Sequence, residues 1–135
     1  MKTLMSALRI SAAILSVLFS PIATAEAQDT SNVMIVFDAS GSMWGQIDGE
    51  TKIEIARDAF ANAQSVWDEA GQNIGLIAYG HRRKGDCQDI EMMVAVGGNN
   101  GAAVADQIQS LRPKGKTPLT DAIRLAAAEL RYREE

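Results

Sequence analysis

Val33-Met34-Ile35-Val36-Phe37 is an unbroken apolar segment that runs straight into Asp38-Ala39-Ser40-Gly41-Ser42. Nothing in the run alternates between apolar and polar, the pattern of a strand buried on both faces rather than a half-solvated one. Such a strand must be flanked by other strands and covered by helices, which constrains the chain to a layered α/β fold. The polar loop after Phe37 is then held at the end of a core strand.

The segments that follow fit that constraint. Thr51-Lys52-Ile53-Glu54 matches the S/T-x-x-E capping box that opens helices. Ile53, Ala56, Phe60, Ala63 and Trp67 then recur at steps of three and four, giving a helix with one apolar stripe that Gly71 closes. Asn73 to Tyr79 is apolar on both parities and predicts a second buried strand, joined to the first by a right-handed parallel crossover. Residues 80–89 carry no helical pattern before Ile90 to Val96 resumes as a strand. That connection is too short for a parallel crossover, so the third strand should turn back antiparallel at the sheet edge, where Glu91 is tolerated.

Ala102 to Leu111, with Val104, Ile108 and Leu111 at helical spacing, predicts a second helix. Pro118 stands at the first position of a third, with Thr117 as its N-cap and Ile123, Ala126, Ala127 and Leu130 as its buried stripe. The order is β-α-β-β-α-α, an α/β sheet whose strand order begins 3-2-1. In this arrangement the first strand has a neighbour on one side only, leaving a long apolar edge. The expectation is an incomplete domain, with at least one parallel strand after Glu135.

The first residues read differently. Lys2 and Arg9 form a positive region, Ile10 to Phe19 is apolar, Pro21 ends it, and Ala23-Thr24-Ala25 and Ala25-Glu26-Ala27 are small-residue cleavage patterns. This is the layout of a secretory signal peptide, predicting export to the periplasm or beyond, with cleavage after Ala25 or Ala27. An apolar run of about ten residues falls well short of the ~20 that a spanning helix needs. The expected organisation is a signal peptide over 1–27, a polar leader over 28–32 and a partial domain over 33–135.

Charge and rare residues narrow the function classes. Seventeen acidic against 13 basic residues give a net charge of −4, which argues against nucleic acid or an anionic membrane surface as the main partner. Arg82-Arg83-Lys84 is the only basic cluster and reads as solvated. Cys87 is the only cysteine; in an oxidising compartment it is either buried and inert or partnered outside this sequence. His81 is the only histidine, and a loop hydrogen-bonding role suits it better than that of ligand or base.

Two loops carry the chemistry. D-x-S-x-S in a tight turn can aim the Asp38 carboxylate and the Ser40 and Ser42 hydroxyls at one point, beyond the carboxyl end of a parallel strand where α/β folds bind ligands. All three are hard oxygen donors of the type Mg²⁺ prefers, and Mn²⁺ or Ca²⁺ less strictly; the alternative is that the serines only cap the backbone. Gly115-Lys116-Thr117-Pro118-Leu119-Thr120-Asp121-Ala122-Ile123 places Thr117 at a helix start on the same rim. It is not a phosphate-binding loop, because Ser110 replaces the first glycine, no strand precedes it and Pro118 follows. Met43 and Trp44 beside the first loop are read as packing residues, with contact to a partner as the alternative.

These two loops, in this order on these elements, resemble the von Willebrand factor type A domain with its metal-ion-dependent adhesion site. The stretch from Tyr79 to Glu91, Y-G-H-R-x-K-G-D-C-x-D-I-E, is further similar to secreted bacterial members. The resemblance implies a Rossmann-like open, mostly parallel sheet with helices on both faces and an antiparallel edge strand. It implies that Asp38, Ser40, Ser42 and Thr117 hold a divalent cation, Mg²⁺ first and Mn²⁺ or Ca²⁺ as alternatives. The family's remaining acid has no match here. Asp121 is at most a residue that orients a ligand, and an ordinary first-turn acid is the plainer reading. The resemblance also hints at a disulfide from Cys87 to a cysteine outside this sequence.

The implied function is cation-dependent binding of a protein ligand that presents an acidic side chain, without catalysis. Two other readings stay open: a hydrolase whose catalytic region lies beyond this sequence, and a structural domain without metal function. No G-x-S-x-G elbow is present, and one histidine leaves little room for a Ser-His-Asp arrangement.

Overall fold

The computed structural model describes residues 31–132; the expected signal peptide and most of the expected leader lie outside the described residues. The elements are β1 (Asn32–Asp38), a 3₁₀ turn (Gly41–Trp44), β2 (Gln46–Ile47), β3 (Glu50–Thr51), α1 (Lys52–Glu69), β4 (Asn73–Tyr79), β5 (Ile90–Gly97), α2 (Gly101–Ser110) and α3 (Leu119–Tyr132). The main sheet has the order β1-β4-β5. β1 and β4 run parallel, from Asn32 opposite Asn73 to Asp38 opposite Tyr79, and β5 returns antiparallel to β4. This is the expected 3-2-1 order with its antiparallel edge.

Side-chain alternation along the strands sorts the core into two layers. Phe37, Ile74, Leu76 and Ala78 meet α1 and α2 through Ile53, Phe60, Val104 and Ile108 on one face. Ile77 and Tyr79 meet Ala122 and Ala126 of α3 on the other. Within β1 only Phe37 is fully buried and Val33 to Val36 are half-buried. The expectation of burial on both faces along the whole run is corrected here, because among the described residues β1 is paired along one edge only.

The capping box forms as its spacing dictates: Glu54 N–H donates to Thr51 Oγ1 at 3.4 Å and Thr51 N–H to Glu54 Oε2 at 3.2 Å. The hydrogen bonds from Thr51 lower the Glu54 pKa. Along α1, Phe60 and Trp67 meet edge to face with ring centroids 5.4 Å apart. Arg57 reaches across to the end of α2 and donates to the carbonyls of Ile108 at 3.4 Å and Leu111 at 2.6 Å, adding to the capping of a helix end whose last carbonyls lack i+4 partners. Partial burial, and then neighbouring Arg112, lower the Arg57 pKa.

Three features depart from the sequence reading. β2 and β3 form a small hairpin around Asp48 at φ 52° and Gly49 at φ 91°; the Asp-Gly pair is a strong hairpin signal that the sequence reading passed over. α3 begins one residue later than expected: Ala122 N–H donates to Pro118 O at 3.0 Å, so Pro118 is the cap residue and Thr117 lies outside the helix. Its buried stripe is also turned, since Ala122 and Ala126 are buried while Ile123 is 51% exposed and Ala127 is exposed. Small side chains let α3 approach β1 and β4 closely, and close approach decides the face over side-chain size.

Thr51→Ala removes the acceptor of the box and should lower stability by about 1 kcal/mol, the ordinary worth of a helix N-cap, measured by urea denaturation of the variant beside the parent.

Candidate functional site

At the carboxyl end of β1 the chain turns on its own side chains. The Asp38 carboxylate accepts from the Ser40 N–H at 2.7 Å, and the Ser40 and Ser42 hydroxyl oxygens lie 3.0 Å apart. Ser40 is 1% exposed whereas Ser42 is exposed, so the oxygen cluster runs from the interior outward. The 3₁₀ turn then closes with Met43 N–H on Ser40 O and Gly45 N–H on Ser42 O, each at 3.0 Å.

The second loop is fastened to the first by main-chain bonds. Gly41 N–H donates to Gly115 O at 3.0 Å, and Lys114 N–H to Ala39 O at 3.3 Å, so that Ser40 and Gly115 form a parallel bridge. Both loops close on Gly80, whose carbonyl accepts from Lys114 N–H at 3.0 Å and Gly115 N–H at 2.7 Å. Gly80 has φ +72°, and a Cβ there would stand 2.6 Å from Lys116 O and 2.8 Å from Ser40 Cα. Only glycine satisfies both the left-handed backbone and that approach. A Cβ on Gly115 would meet Arg83 O at 2.6 Å.

This crossing brings Asp38, Ser40 and Ser42 together and sets Thr117 two residues beyond the bridge. Thr117 is exposed and outside α3, which corrects its expected N-cap role. Together with residues 116–121 and Cys87 it lines a cleft of about 440 Å³. Asp121 pairs with Arg124 at 2.9 Å on the helix surface, the behaviour of a first-turn acid rather than of a residue turned to the oxygen cluster. Cys87 is exposed, so inert burial does not describe it. Met43 packs against the core. Trp44 departs from the packing expectation: it is 53% exposed and pinned by its indole N–H to Pro113 O at 2.9 Å.

The connection from β4 to β5 supports the crossing from behind. Asp89 is fully buried and accepts from Arg82 N–H at 2.8 Å, Arg83 N–H at 3.0 Å and Arg82 Nε at 2.6 Å. Burial alone would raise its pKa, but these donors and the guanidinium charge outweigh it and hold the carboxyl at about 2. Arg82 is stabilised as a cation chiefly by Asp89, and Arg83 pairs with Asp86 at 2.9 Å. The exposed basic cluster is thus as solvated as expected, with Arg82 also anchoring the loop on Asp89. His81 Nε2 lies 3.0 Å from Glu91 Oε2, the loop hydrogen-bonding role expected of it. The sequence reading missed Asp89, Gly80 and Gly115; the acid in D-I-E at a strand start was the one available signal.

Among the described residues no group of three or more His, Cys, Asp or Glu side chains could hold a metal ion. The oxygen cluster is of another kind, one carboxylate with hydroxyls, and its hard neutral donors suit a Mg²⁺-like ion. Among the described residues no helix is long and apolar enough to cross a membrane.

An α/β sheet with a D-x-S-x-S turn fastened to a threonine loop defines a class, and the comparisons agree. The von Willebrand factor type A domain model matches residues 33–135, and the chain belongs to that family. Uncharacterized protein YwmD of Bacillus subtilis (strain 168) is 29% identical over 111 residues, covering 77% of this chain and 49% of its own. The crystal structure of an uncharacterized membrane spanning protein from Vibrio fischeri has a TM-score of 0.57 at 16% identity, over 73% of this chain and 48% of that one, a likeness of fold. The chain thus spans about half the length of the relatives it matches.

Two substitutions test this scaffold. Gly115→Ala should cost about 1–3 kcal/mol, the range for forcing atoms into filled space, read by chemical denaturation. Asp89 has its carboxyl depressed to about 2 in the fold against ~3.9 unfolded. Its stabilisation is therefore complete above pH ~4 and lost as pH falls towards ~2. Asp89→Asn should lower the melting temperature at neutral pH and flatten its fall across that window.

Proposed function

We propose that the domain binds a divalent cation through Asp38, Ser40, Ser42 and Thr117 and uses it to hold an acidic side chain of a protein partner. Mg²⁺ is the first choice of ion, with Mn²⁺ or Ca²⁺ as alternatives. The observation that carries this reading is the main-chain crossing at Gly80 and Gly115, which fastens the D-x-S-x-S turn to the loop bearing Thr117.

The donor chemistry argues for binding rather than for a structural ion. One carboxylate and three neutral hydroxyls leave half of a dication's charge uncompensated, and a bound cation would supply a Lewis-acidic position attractive to a carboxylate. The chain's own residues hold the turn and leave Ser42 and Thr117 exposed at the surface. Trp44, exposed and pinned at the same rim, offers a rigid aromatic contact for the partner. The reading assigns no catalytic step, and it places the domain in the periplasm or outside the cell, on the strength of the signal-peptide pattern of residues 1–27.

Calorimetric titration of the chain with MgCl₂ tests the site. Saturable binding should appear, with a higher melting temperature in excess Mg²⁺ as binding to the folded state requires. Asp38→Ala should abolish both while the far-ultraviolet circular dichroism is retained. Absence of saturable Mg²⁺, Mn²⁺ or Ca²⁺ binding by the parent chain would remove the reading.

A further inference from the structure

Lys52, Lys84, Lys114 and Lys116 are all the lysines of the chain after Lys2, and the fold gathers them at the rim of the D-x-S-x-S turn. Lys114 donates its N–H to Ala39 O and Gly80 O, and Lys116 follows the bridge from Gly115 to Ser40. A Cβ on Gly115 would meet Arg83 O, which sets Lys84 one residue from the crossing. Lys52 donates its N–H to Gly45 O at 2.9 Å, and its Nζ lies 3.7 Å from where a Cβ on Gly45 would stand, just past the 3₁₀ turn. All four lysines are exposed, and among the described residues none is in an ion pair. The acids of the 80–89 loop and of the cleft are committed elsewhere: Asp86 to Arg83, Asp89 to Arg82 and Asp121 to Arg124. Asp48 and Glu50 belong to the hairpin beyond Gly45, and residues 111–118 contain no acid.

Lys114 and Lys116 stand in a definite relation to each other. Leu111 leaves α2 in extended backbone. Leu111 and Pro113 are then buried and Gly115 is half-buried, while Arg112, Lys114 and Lys116 are exposed. This is the alternation of an extended segment, in which residues two apart share a side at a spacing of about 6–7 Å. Arg112 folds back onto the carbonyls of Gln109 and Leu111, each at 2.9 Å, so the two lysines are left as the outward charges. Trp44 adjoins them through its bond to Pro113 O. We infer that the partner of this rim is a short, extended acidic segment of a protein with carboxylates at alternate positions, one at Ser42 and Thr117 and the others beside Lys116 and Lys114. The inference rests on the binding reading above and adds to it the charge and length of the ligand. Ammonium groups without an anion in the fold repel one another, and alternate carboxylates, having the same repeat as the lysines, relieve that repulsion. Charge of one sign gathered in one place also steers an oppositely charged ligand on approach. The chain as a whole is negative, at −4, so its acid excess lies away from the rim. That excess repels a long polyanion such as a nucleic acid or an anionic bilayer and leaves a short acidic segment as the matching partner.

Fluorescence anisotropy on the whole chain in MgCl₂ tests this with labelled peptides: one alternates three aspartates with serines, one keeps a single aspartate, and one carries asparagine at all three places. The three-aspartate peptide should bind about fivefold more tightly than the single-aspartate peptide at low ionic strength, within the range for two exposed ion pairs. Added NaCl should shrink that advantage by screening. The double variant Lys114→Gln, Lys116→Gln should erase it and slow association of the three-aspartate peptide, with the far-ultraviolet circular dichroism retained. Equal affinity of the two acidic peptides for the parent chain, no binding of the three-aspartate peptide, or an advantage that survives in the double variant overturns the inference. Tighter binding of an oligothymidylate or of phosphatidylglycerol vesicles than of that peptide overturns it too, because the rim would then accept any polyanion. Exchanging Mg²⁺ for EDTA separates the two readings. If the single-aspartate peptide binds no less in EDTA, the cation reading fails, whereas the ratio between the peptides still decides the role of the lysines.

Discussion

Everything at the functional rim depends on three backbones meeting where none has a side chain to spare. Ser40 arrives from β1, Gly80 from β4 and Gly115 from the segment between α2 and α3, and a Cβ at Gly80 would stand 2.8 Å from Ser40 Cα. Main-chain bonds are short, directional and indifferent to side-chain identity. Loops that carry polar, exposed residues can therefore be held in register without an apolar core of their own. Ser42 and Thr117 stay exposed because the backbone, and not their side chains, fastens the two loops together.

That division of labour explains which parts were legible in the sequence. The capping box at Thr51, the apolar parity of β4 and the short return to β5 are local signals, each decided within a few residues. The D-x-S-x-S turn is also local, since Asp38 bonds the amide two residues on. The rotated face of α3 was not legible, because Ile123 outranks Ala122 in hydrophobicity and only the proximity of the sheet makes the smaller residue the buried one. Nor was Asp89, whose burial depends on donors seven and six residues earlier that converge only once the loop is folded. Glycines at 80 and 115 look like ordinary loop punctuation until the third backbone is in place.

The same comparison bears on Trp44 and Met43, adjacent residues with opposite fates. The 3₁₀ turn that closes the D-x-S-x-S loop sends Met43 inward to the core and leaves Trp44 at the surface, its indole N–H spent on Pro113 O. A tryptophan fixed by its polar edge loses little further freedom when something covers its ring. It is an economical contact for a partner arriving at the rim, and the bond to Pro113 adds a side-chain tie to the main-chain crossing.

Electrostatics and architecture converge on the Asp38 carboxylate. Among the described residues it is the only acid of the oxygen cluster, so under the proposed reading its orientation would carry a larger share of a cation's alignment than in a site with several carboxylates. A lone ligand acid can be oriented only by neutral donors if the net charge of the cluster is to stay low; a lysine or arginine in that place would compete with the cation. The Ser40 amide is such a donor. On the neighbouring strand the Tyr79 ring is buried under α3, and the close approach of the helix that buries it depends on Ala122 and Ala126. The alanine face that sequence hydrophobicity did not favour is thus the one that encloses the tyrosine opposite Asp38 at the strand ends.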